Sequence, residues 1–192
     1  MILEGRRTEI MDAALAEFNR HGVAGAAIDE IRRRSGASIG SIYHHFGGKL
    51  ELAGTLYLEG MASYQEGFVA ELGRAAGTRQ GIEGVVHHHL SWVAEHRELA
   101  RFLFLRGDAP RTRSGERPLN QLNRRFFAQV KAWTAPRLAA GELRNFELEV
   151  MSALWIGPSQ ELARLWLEGR SRISPIDAAP QLAEAAWRSL CP

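Results

Sequence analysis

Apolar residues recur at three- and four-residue spacing through most of the chain, which is the period of an amphipathic helix. In the first part of the sequence this pattern predicts helices over about Glu4 to His21, 27–34, 38–45 and 49–72. We find no convincing alternation of the kind that predicts a strand, and no internal repeat. The pattern therefore predicts an all-α chain.

Glycines separate the first helices. Gly22 is placed to end the first helix as a left-handed cap, Gly36 makes the turn before the third helix, and Gly47 and Gly48 follow that helix. Ser38 is a natural N-cap for the third helix. A helix of about two turns does not hold its shape in water alone, so the third helix must dock against its neighbours. A short helix held against another across a glycine turn is typical of the helix-turn-helix that reads DNA.

The second part of the chain adds five predicted helices after a glycine-containing loop at 73–81, which brings the total to about nine. They cover 82–96, 99–105, 119–140, 143–167 and 178–190. The basic stretch 106–118 between two of them is expected to be a solvated loop, and its Arg-Gly-Asp tripeptide a chance match.

Composition places the chain among ordinary globular proteins, with 192 residues, 45% of them hydrophobic and 24% charged. The sequence has no run of about 18 apolar residues, so we expect no membrane span, and its start lacks the apolar core of a signal peptide. The single cysteine, Cys191, cannot form an intramolecular disulfide. These features predict a cytoplasmic protein.

Charge alone leaves the DNA hypothesis open. The net charge is +2, and the segment from Arg7 to Leu52 carries six basic and six acidic residues. The basic residues Arg32, Arg33, Arg34 and Lys49 nevertheless fall next to the proposed DNA-reading helix, while most of the acids fall on flanking helices. Their distribution is thus more informative than their sum.

Order and spacing over nearly fifty residues carry a family resemblance. The matching positions are Ile10, Ala13, Ala14, Phe18, Gly22, Ile28, Ile31, Gly36, Ser38, Gly40, Ile42, Tyr43, Phe46, Lys49 and Leu52. This segment resembles the DNA-binding domain of the TetR family, the bacterial transcription regulators named after the tetracycline repressor. It departs from the family at Ala26-Ala27, where hydroxyl side chains are usual, at Arg32, where a small residue is common, and at Gly48, where serine or asparagine is common.

The resemblance and the helix positions together predict the residues that contact DNA. They are Ser38, Ile39, Gly40, Ser41, Tyr43, His44 and Lys49. The first backbone N–H groups of the third helix suit phosphate contacts, while Ile39 and Ser41 would face the major groove. Gly40 would let the helix lie close to DNA, and Tyr43 and His44 would bond phosphates. The alternatives are that Tyr43 is a core aromatic residue and that His44 is an ordinary surface residue.

The resemblance implies two domains, with a DNA-binding domain at 1–52 whose helix-turn-helix covers about 27–46, and an effector-binding and dimerisation domain at 53–192. Large apolar side chains in the second domain are candidates to line an effector pocket: Trp92, Phe102, Trp133, Met151 and Trp155. The alternative is that these side chains simply fill a core. The last two helices would pair with those of a second copy.

The consecutive histidines His87, His88 and His89 raise the question of a metal site. Adjacent helical positions point about 100° apart, so the three rings cannot converge on one ion. We therefore expect no metal and no cofactor. One of the three histidines is instead expected to face the pocket as a polar group. No nucleophile–base pair or phosphate loop supports an enzyme.

The sequence thus predicts a homodimeric regulator that binds a palindromic DNA operator and is released from it by an unknown small molecule, so that it acts as a repressor. Two alternatives stay open. The chain could be a regulator that is ligand-independent or controlled by a partner protein, or a helical ligand-binding protein without DNA function.

Overall fold

The computed structural model describes residues 2–105 and 113–192, with side chains described for 5–105 and 116–192. Over these residues the chain forms ten helices and no strand, which confirms the all-α prediction. The helices are α1 (Ile2–Gly25), α2 (Ile28–Ser35), α3 (Ile39–Phe46), α4 (Lys49–Arg74), α5 (Thr78–Glu95), α6 (Arg97–Phe104), α7 (Arg113–Ala139), α8 (Leu148–Trp155), α9 (Gly157–Leu167) and α10 (Pro175–Leu190).

Two helices replace the single helix that we predicted at 143–167. The helix begins only at Leu148 and is interrupted at Ile156, and a new helix starts with Pro158 in its first turn. Proline has no N–H to donate within a helix, but it suits the first turn, where that N–H would be unpaired anyway. The Gly157-Pro158 pair therefore explains the break.

Among the other helix starts, those of α5 and α7 differ most from the prediction. Helix α5 begins at Thr78 instead of 82, so the loop before it is shorter. Helix α7 begins at Arg113 instead of 119, although its first turns are polar. Of the predicted basic loop at 106–118, residues 106–112 lie outside the described part of the chain.

The chain divides into two compact units. The first consists of Met1–Ala62 and Glu98–Gln121, and the second of Ser63–Arg97 and Leu122–Pro192. Helix α4 contributes residues to both.

The core of the first unit is built from the apolar faces of its helices. Ile10 and Phe18 on α1, Ile31 on α2 and Ile42 on α3 have no solvent-exposed surface. The rings of Phe18 and Phe102 stack with centroids 5.9 Å apart, and α1 packs along α2. Burial of this kind contributes about 1.5–3 kcal/mol per large side chain, which lets the short helices α2 and α3 persist.

The core of the second unit is centred on α5 and α10, which pack along each other, with α8 and α9 against them. Ile82, Leu90 and Leu167 are fully buried, and Leu190 is 1% exposed. None of the helices in the described part of the chain combines the length and the apolar character needed to cross a bilayer.

The start of α2 lacks a side-chain cap, as Ala27 in place of a hydroxyl residue led us to expect. Ala27 has extended backbone angles, φ −96° and ψ 125°, and caps nothing. Ala27→Ser would place an acceptor at this position, and Glu30 three residues later completes a capping box. We expect the free energy of unfolding to rise by about 1 kcal/mol, measured by urea denaturation. Ala26→Ser is the control. Ala26 is only 4% exposed, so this variant is expected to give no gain in the free energy of unfolding.

Candidate nucleic-acid interface

Helix α3 is held at both ends by its own sequence. The Ser38 hydroxyl accepts a hydrogen bond of 3.1 Å from the backbone N–H of Ser41, as predicted for an N-cap. Gly36 and Gly47 both have positive φ, 64° and 78°, which other residues rarely adopt. The Gly47 N–H donates to the carbonyl of Tyr43 at 2.8 Å and closes the last turn. This short helix is therefore fixed in direction.

One face of α3 is buried and the other faces solvent. Ile42 is fully buried and Phe46 is 7% exposed, so they attach the helix to the first unit. Ile39 and Tyr43, four residues apart and so on one face of the helix, are 44% and 51% exposed. The alternative of a core role for Tyr43 is thus wrong.

The other predicted contact residues on α3 lie around this exposed face. Ser38, Gly40 and His44 are exposed, and Ser41 is half-buried. A methyl group added at Gly40 would meet only the Ser38 hydroxyl, at 3.8 Å. The surface is therefore open for close approach by a ligand as large as DNA, and the individual contacts stay predictions.

Lys49 has a structural role that the sequence did not reveal. Its Nζ donates to the carbonyl of Ala24 at 2.8 Å and to that of Ala26 at 2.7 Å. Ala24 lies in the last turn of α1 and Ala26 in the turn between α1 and α2, so Lys49 ties the start of α4 to the end of α1 and to that turn. An ammonium group has three donors, and a phosphate could still accept from the third.

The arginines of α2 are paired with acids on the same helix. Arg33 and Arg34 both donate to Glu30, at 2.6 and 2.9 Å, and Arg32 lies 3.4 Å from Asp29. Hydrogen bonds from Arg33 and Arg34 lower the pKa of Glu30 to about 2. The three- and four-residue spacing of these pairs was the signal in the sequence, but the prediction did not pair these acids with the arginines of the same helix.

Two further arginines brace the helix-turn-helix and were not predicted. Arg6 donates to the carbonyl of Ser35 at 3.1 Å. Arg7 pairs with Glu59 on α4, and its guanidinium lies 5.6 Å from the centre of the Phe46 ring. The ends of α2 and α3 are thus both tied to α1.

The second unit contains an apolar cavity of about 180 Å³. Its lining comes from α4, α7, α8 and the residue after α8: Tyr64, Phe68, Phe126, Phe127, Val130, Leu148, Met151, Ser152, Trp155 and Ile156. Phe127 and Leu148 are 47% and 49% exposed and stand at its mouth. Such a cavity is the usual form of a small-molecule site, although this one is small.

Two of the five predicted pocket residues, Met151 and Trp155, line this cavity. The other three lie elsewhere. Phe102 is stacked on Phe18 in the core of the first unit. Trp92 packs edge-to-face on Tyr64, with ring centroids 5.4 Å apart, and Trp133 lies behind Trp155 at 5.9 Å. Large apolar side chains occur in cores as well as in cavities, and the sequence did not distinguish the two.

Two of the three consecutive histidines hold Tyr64 in the cavity wall. The Nε2 of His88 donates to the carbonyl of Tyr64 at 2.9 Å, and Nδ1 of His89 is hydrogen-bonded to the Tyr64 hydroxyl at 2.9 Å. His87 is exposed, so the three rings diverge as expected. Burial raises the pKa of Tyr64 and lowers that of His89 to about 4.

The buried His89 predicts a loss of stability in acid. The unfolded chain takes up this proton near the ordinary pKa of 6.5, but the folded protein does so only near 4. Stability is therefore complete above pH 6.5 and falls as the pH drops towards 4, by up to roughly 3 kcal/mol. Urea denaturation of the wild type and His89→Gln from pH 7 to 4 measures this difference. His87→Gln is the control, and equal pH profiles for wild type and His89→Gln would contradict the assignment.

Residues 10–56 match the family model described as bacterial regulatory proteins, tetR family. The chain is 37% identical over 105 residues to the HTH-type transcriptional repressor SCO4008 of Streptomyces coelicolor, an alignment that covers 54% of this chain and 50% of that repressor. It therefore spans about half the length of this relative.

Solved structures share the fold over almost the whole chain. A tetR-family regulatory protein from Rhodococcus RHA1 gives a TM-score of 0.80 at 19% identity, covering 97% of this chain and 98% of that one. FadR of Bacillus subtilis, solved in complex with stearoyl-CoA, gives 0.76 at 18% identity, covering 93% and 96%. At these identities the likeness concerns the fold alone.

Proposed function

Since the chain belongs to the tetR family of bacterial regulatory proteins through its N-terminal helix-turn-helix domain, we propose that it is a sequence-specific, DNA-binding transcriptional regulator and acts as a repressor. The observation that carries this proposal is the exposed face of α3, where Ile39 and Tyr43 stand in solvent on a helix fixed at both ends. A rigid helix with an exposed reading face is what entry into the major groove requires.

On DNA, each predicted residue has a role that follows from its place on α3. Ile39 would pack on a thymine methyl group and Ser41 would bond a base edge. Backbone N–H groups at the start of the helix, together with Tyr43 and His44, would bond phosphates. Lys49 would add a phosphate contact while keeping its bonds to the end of α1 and to the α1–α2 turn.

The arginines of α2 can serve the same interface despite their acidic partners. Arg32 and Arg33 are well exposed in their ion pairs, with side-chain exposures of 46% and 68%. Exposed pairs of this kind contribute little to stability, so phosphates can compete for the guanidinium groups. A steep salt dependence of DNA binding is therefore expected in spite of the balanced charge.

A dimer follows from the same mode of recognition, because a two-helix module binds a palindromic operator well only as a twofold pair. The proposed contact surface is formed by the predicted last two helices, 143–167 and 178–190, which correspond to α8, α9 and α10 in the structure. Ile176 at the start of α10 and Ile173 just before it are 50% and 56% exposed, which supports an apolar contact there.

A small-molecule effector would act through the second unit. FadR of B. subtilis, a regulator of the same fold, holds stearoyl-CoA, which supports a ligand-responsive role. Tyr64 and Phe68 of the cavity wall lie on the helix that begins at Lys49, about four turns away. A ligand that binds better to the DNA-free conformation would release the operator.

Two alternatives remain as rivals to this proposal: control by a partner protein without any effector, and ligand binding without DNA function. An enzymatic role has no support from the relatives, which are regulators. A cytoplasmic location is part of the proposal, because the DNA lies there.

The test is footprinting and a reporter assay on the DNA upstream of the protein's own gene. Wild type is expected to protect a symmetric site and to lower transcription, and Tyr43→Ala is expected to weaken both effects by about tenfold or more. The matched control is His87→Ala, which removes an exposed side chain on α5, a helix that belongs neither to the proposed DNA-reading surface nor to the proposed dimer surface. Protection by Tyr43→Ala equal to that of wild type would refute the assignment of α3, and no protection by wild type would favour the DNA-independent rival.

A further inference from the structure

The described residues that line the cavity of the second unit are almost all apolar and carry no formal charge. Eight of its ten lining residues are hydrocarbon, thioether or indole side chains. The two others are Ser152, on the exposed side of α8, and Tyr64, whose hydroxyl is bonded to His89. Any ligand in this cavity must therefore leave water without gaining an ionic partner.

The described residues at the entrance of the cavity include no cationic side chain either. A surface groove adjoins it and shares Phe127, Leu148, Ser152 and Ile156 with its lining. The groove adds Glu149, Ala153, Gly157 and Gln160. Among the described residues, no lysine or arginine lines either space, and Glu149 would repel an anion. Transfer of an unpaired carboxylate or phosphate to such a site costs several kcal/mol.

Size limits the ligand further. The cavity measures about 180 Å³, close to the roughly 150 Å³ of an apolar protein cavity that stays dry and binds benzene. It is smaller than the roughly 300–1,000 Å³ of sites for drug-sized ligands. The ring centroid of Phe68 lies 5.0 Å from that of Phe126 and 5.7 Å from that of Trp155. These three wall residues present aromatic faces and edges, which suit contact with a flat aromatic ligand.

We propose that this cavity binds an uncharged, compact hydrophobic molecule of one or two rings, and that anionic ligands such as acyl-CoA thioesters are excluded. This inference deepens the proposed function. It rests on that function only for the claim that the ligand controls DNA binding. Occupancy of the cavity itself depends on the described lining alone. The chain thus shares its fold with an acyl-CoA-binding regulator but differs from it in ligand chemistry.

The experiment compares two probes of similar shape, 2-naphthol, which is neutral at pH 7, and 2-naphthoate, which is anionic. Calorimetry with the full chain in the absence of DNA should give an affinity for 2-naphthol that is at least about tenfold higher than for 2-naphthoate. Stearoyl-CoA should bind no better than 2-naphthoate. If either anion binds as tightly as 2-naphthol or more tightly, the proposal is overturned.

Two variants locate the binding. Val130→Phe adds a ring to the cavity and should weaken 2-naphthol by about tenfold or more, whereas Val150→Phe adds the same ring at a position that is 45% exposed and should change nothing. Ser152→Lys supplies the missing cation at an exposed position and should raise the affinity for 2-naphthoate by about tenfold. If Val130→Phe fails to fold, Ser152→Lys still decides, because an unchanged preference would contradict a site at this cavity.

Release from DNA is measured separately. If 2-naphthol binds as expected but leaves DNA occupancy unchanged, the ligand class stands and the effector role in the proposed function fails. If no neutral probe binds, the ligand class fails while DNA binding can still be tested alone.

Discussion

Gly40→Glu is expected to weaken operator binding by about a hundredfold or more, because it puts a carboxylate on the exposed face of α3 next to the DNA phosphates. The folded protein should accept the change, since a Cβ at this position meets only the Ser38 hydroxyl, at 3.8 Å. Fluorescence anisotropy with a labelled operator measures the affinity, and thermal unfolding checks that the fold is intact.

The control for this variant is Gly73→Glu, which makes the same chemical change on α4 in the second unit. Gly73 is exposed, and a Cβ there would meet no heavy atom within 4 Å. This variant should bind DNA as wild type does. Comparable losses in both variants would mean that net charge, and not contact through α3, sets the affinity.

Gly81→Ala is expected to destabilise the protein by about 1–3 kcal/mol, the usual cost of overpacking a core. Gly81 is buried on α5, and an added Cβ would lie 2.2 Å from Cζ2 of Trp133. The indole is flat and rigid, and it packs against Trp155 in the cavity wall, so it cannot move without disturbing its neighbours. Urea denaturation gives the change in the free energy of unfolding.

Gly84 lies nearly one turn further along the same helix, and Gly84→Ala is the matched control. Its Cβ would lie 3.2 Å from a carboxylate oxygen of Glu71, at the end of a flexible side chain. Since alanine is the better helix former by about 1 kcal/mol, this variant should be neutral or more stable than wild type. A stable Gly81→Ala protein would show that the Trp133 contact is not tight in solution.

The helix-turn-helix could be predicted from the sequence because several local signals agree there. Gly36 and Gly47 have the positive φ that their places between helices required, and Ser38 caps α3. Ile42 and Phe46, which are among the positions that match the family, are buried and attach α3 to the first unit. Gly22 also has positive φ, but its ψ of 165° makes a kink and not the left-handed cap that we expected.

The partners of the basic residues were harder to predict. The bonds from Lys49 to Ala24 and Ala26 join positions more than twenty residues apart, so no local pattern encodes them. The pairs on α2 were encoded locally, by arginines three and four residues after Asp29 and Glu30. Because Arg32 and Arg33 stay exposed in these pairs, the balanced charge of the segment does not argue against the proposed DNA-binding surface.

The cavity could be predicted only in part. Met151 and Trp155 line it, but the aromatic residues that complete it on α4 and α7, such as Phe68 and Phe126, were not among the candidates. Whether an apolar side chain borders a cavity or fills a core depends on how helices distant in sequence pack together. Phe102, for example, was a candidate for the pocket but stacks on Phe18 in the core of the first unit.

The most direct test of the central claim is selection of binding sites from a pool of random duplex DNA, followed by titration of the selected sequence. We predict enrichment of a twofold-symmetric sequence with half-sites about one helical turn apart, bound by pairs of subunits with an affinity that falls steeply with salt. Gly40→Glu should enrich nothing. If wild type enriches no sequence, or if it and Gly40→Glu enrich the same one, the claim that this chain reads DNA through α3 is contradicted.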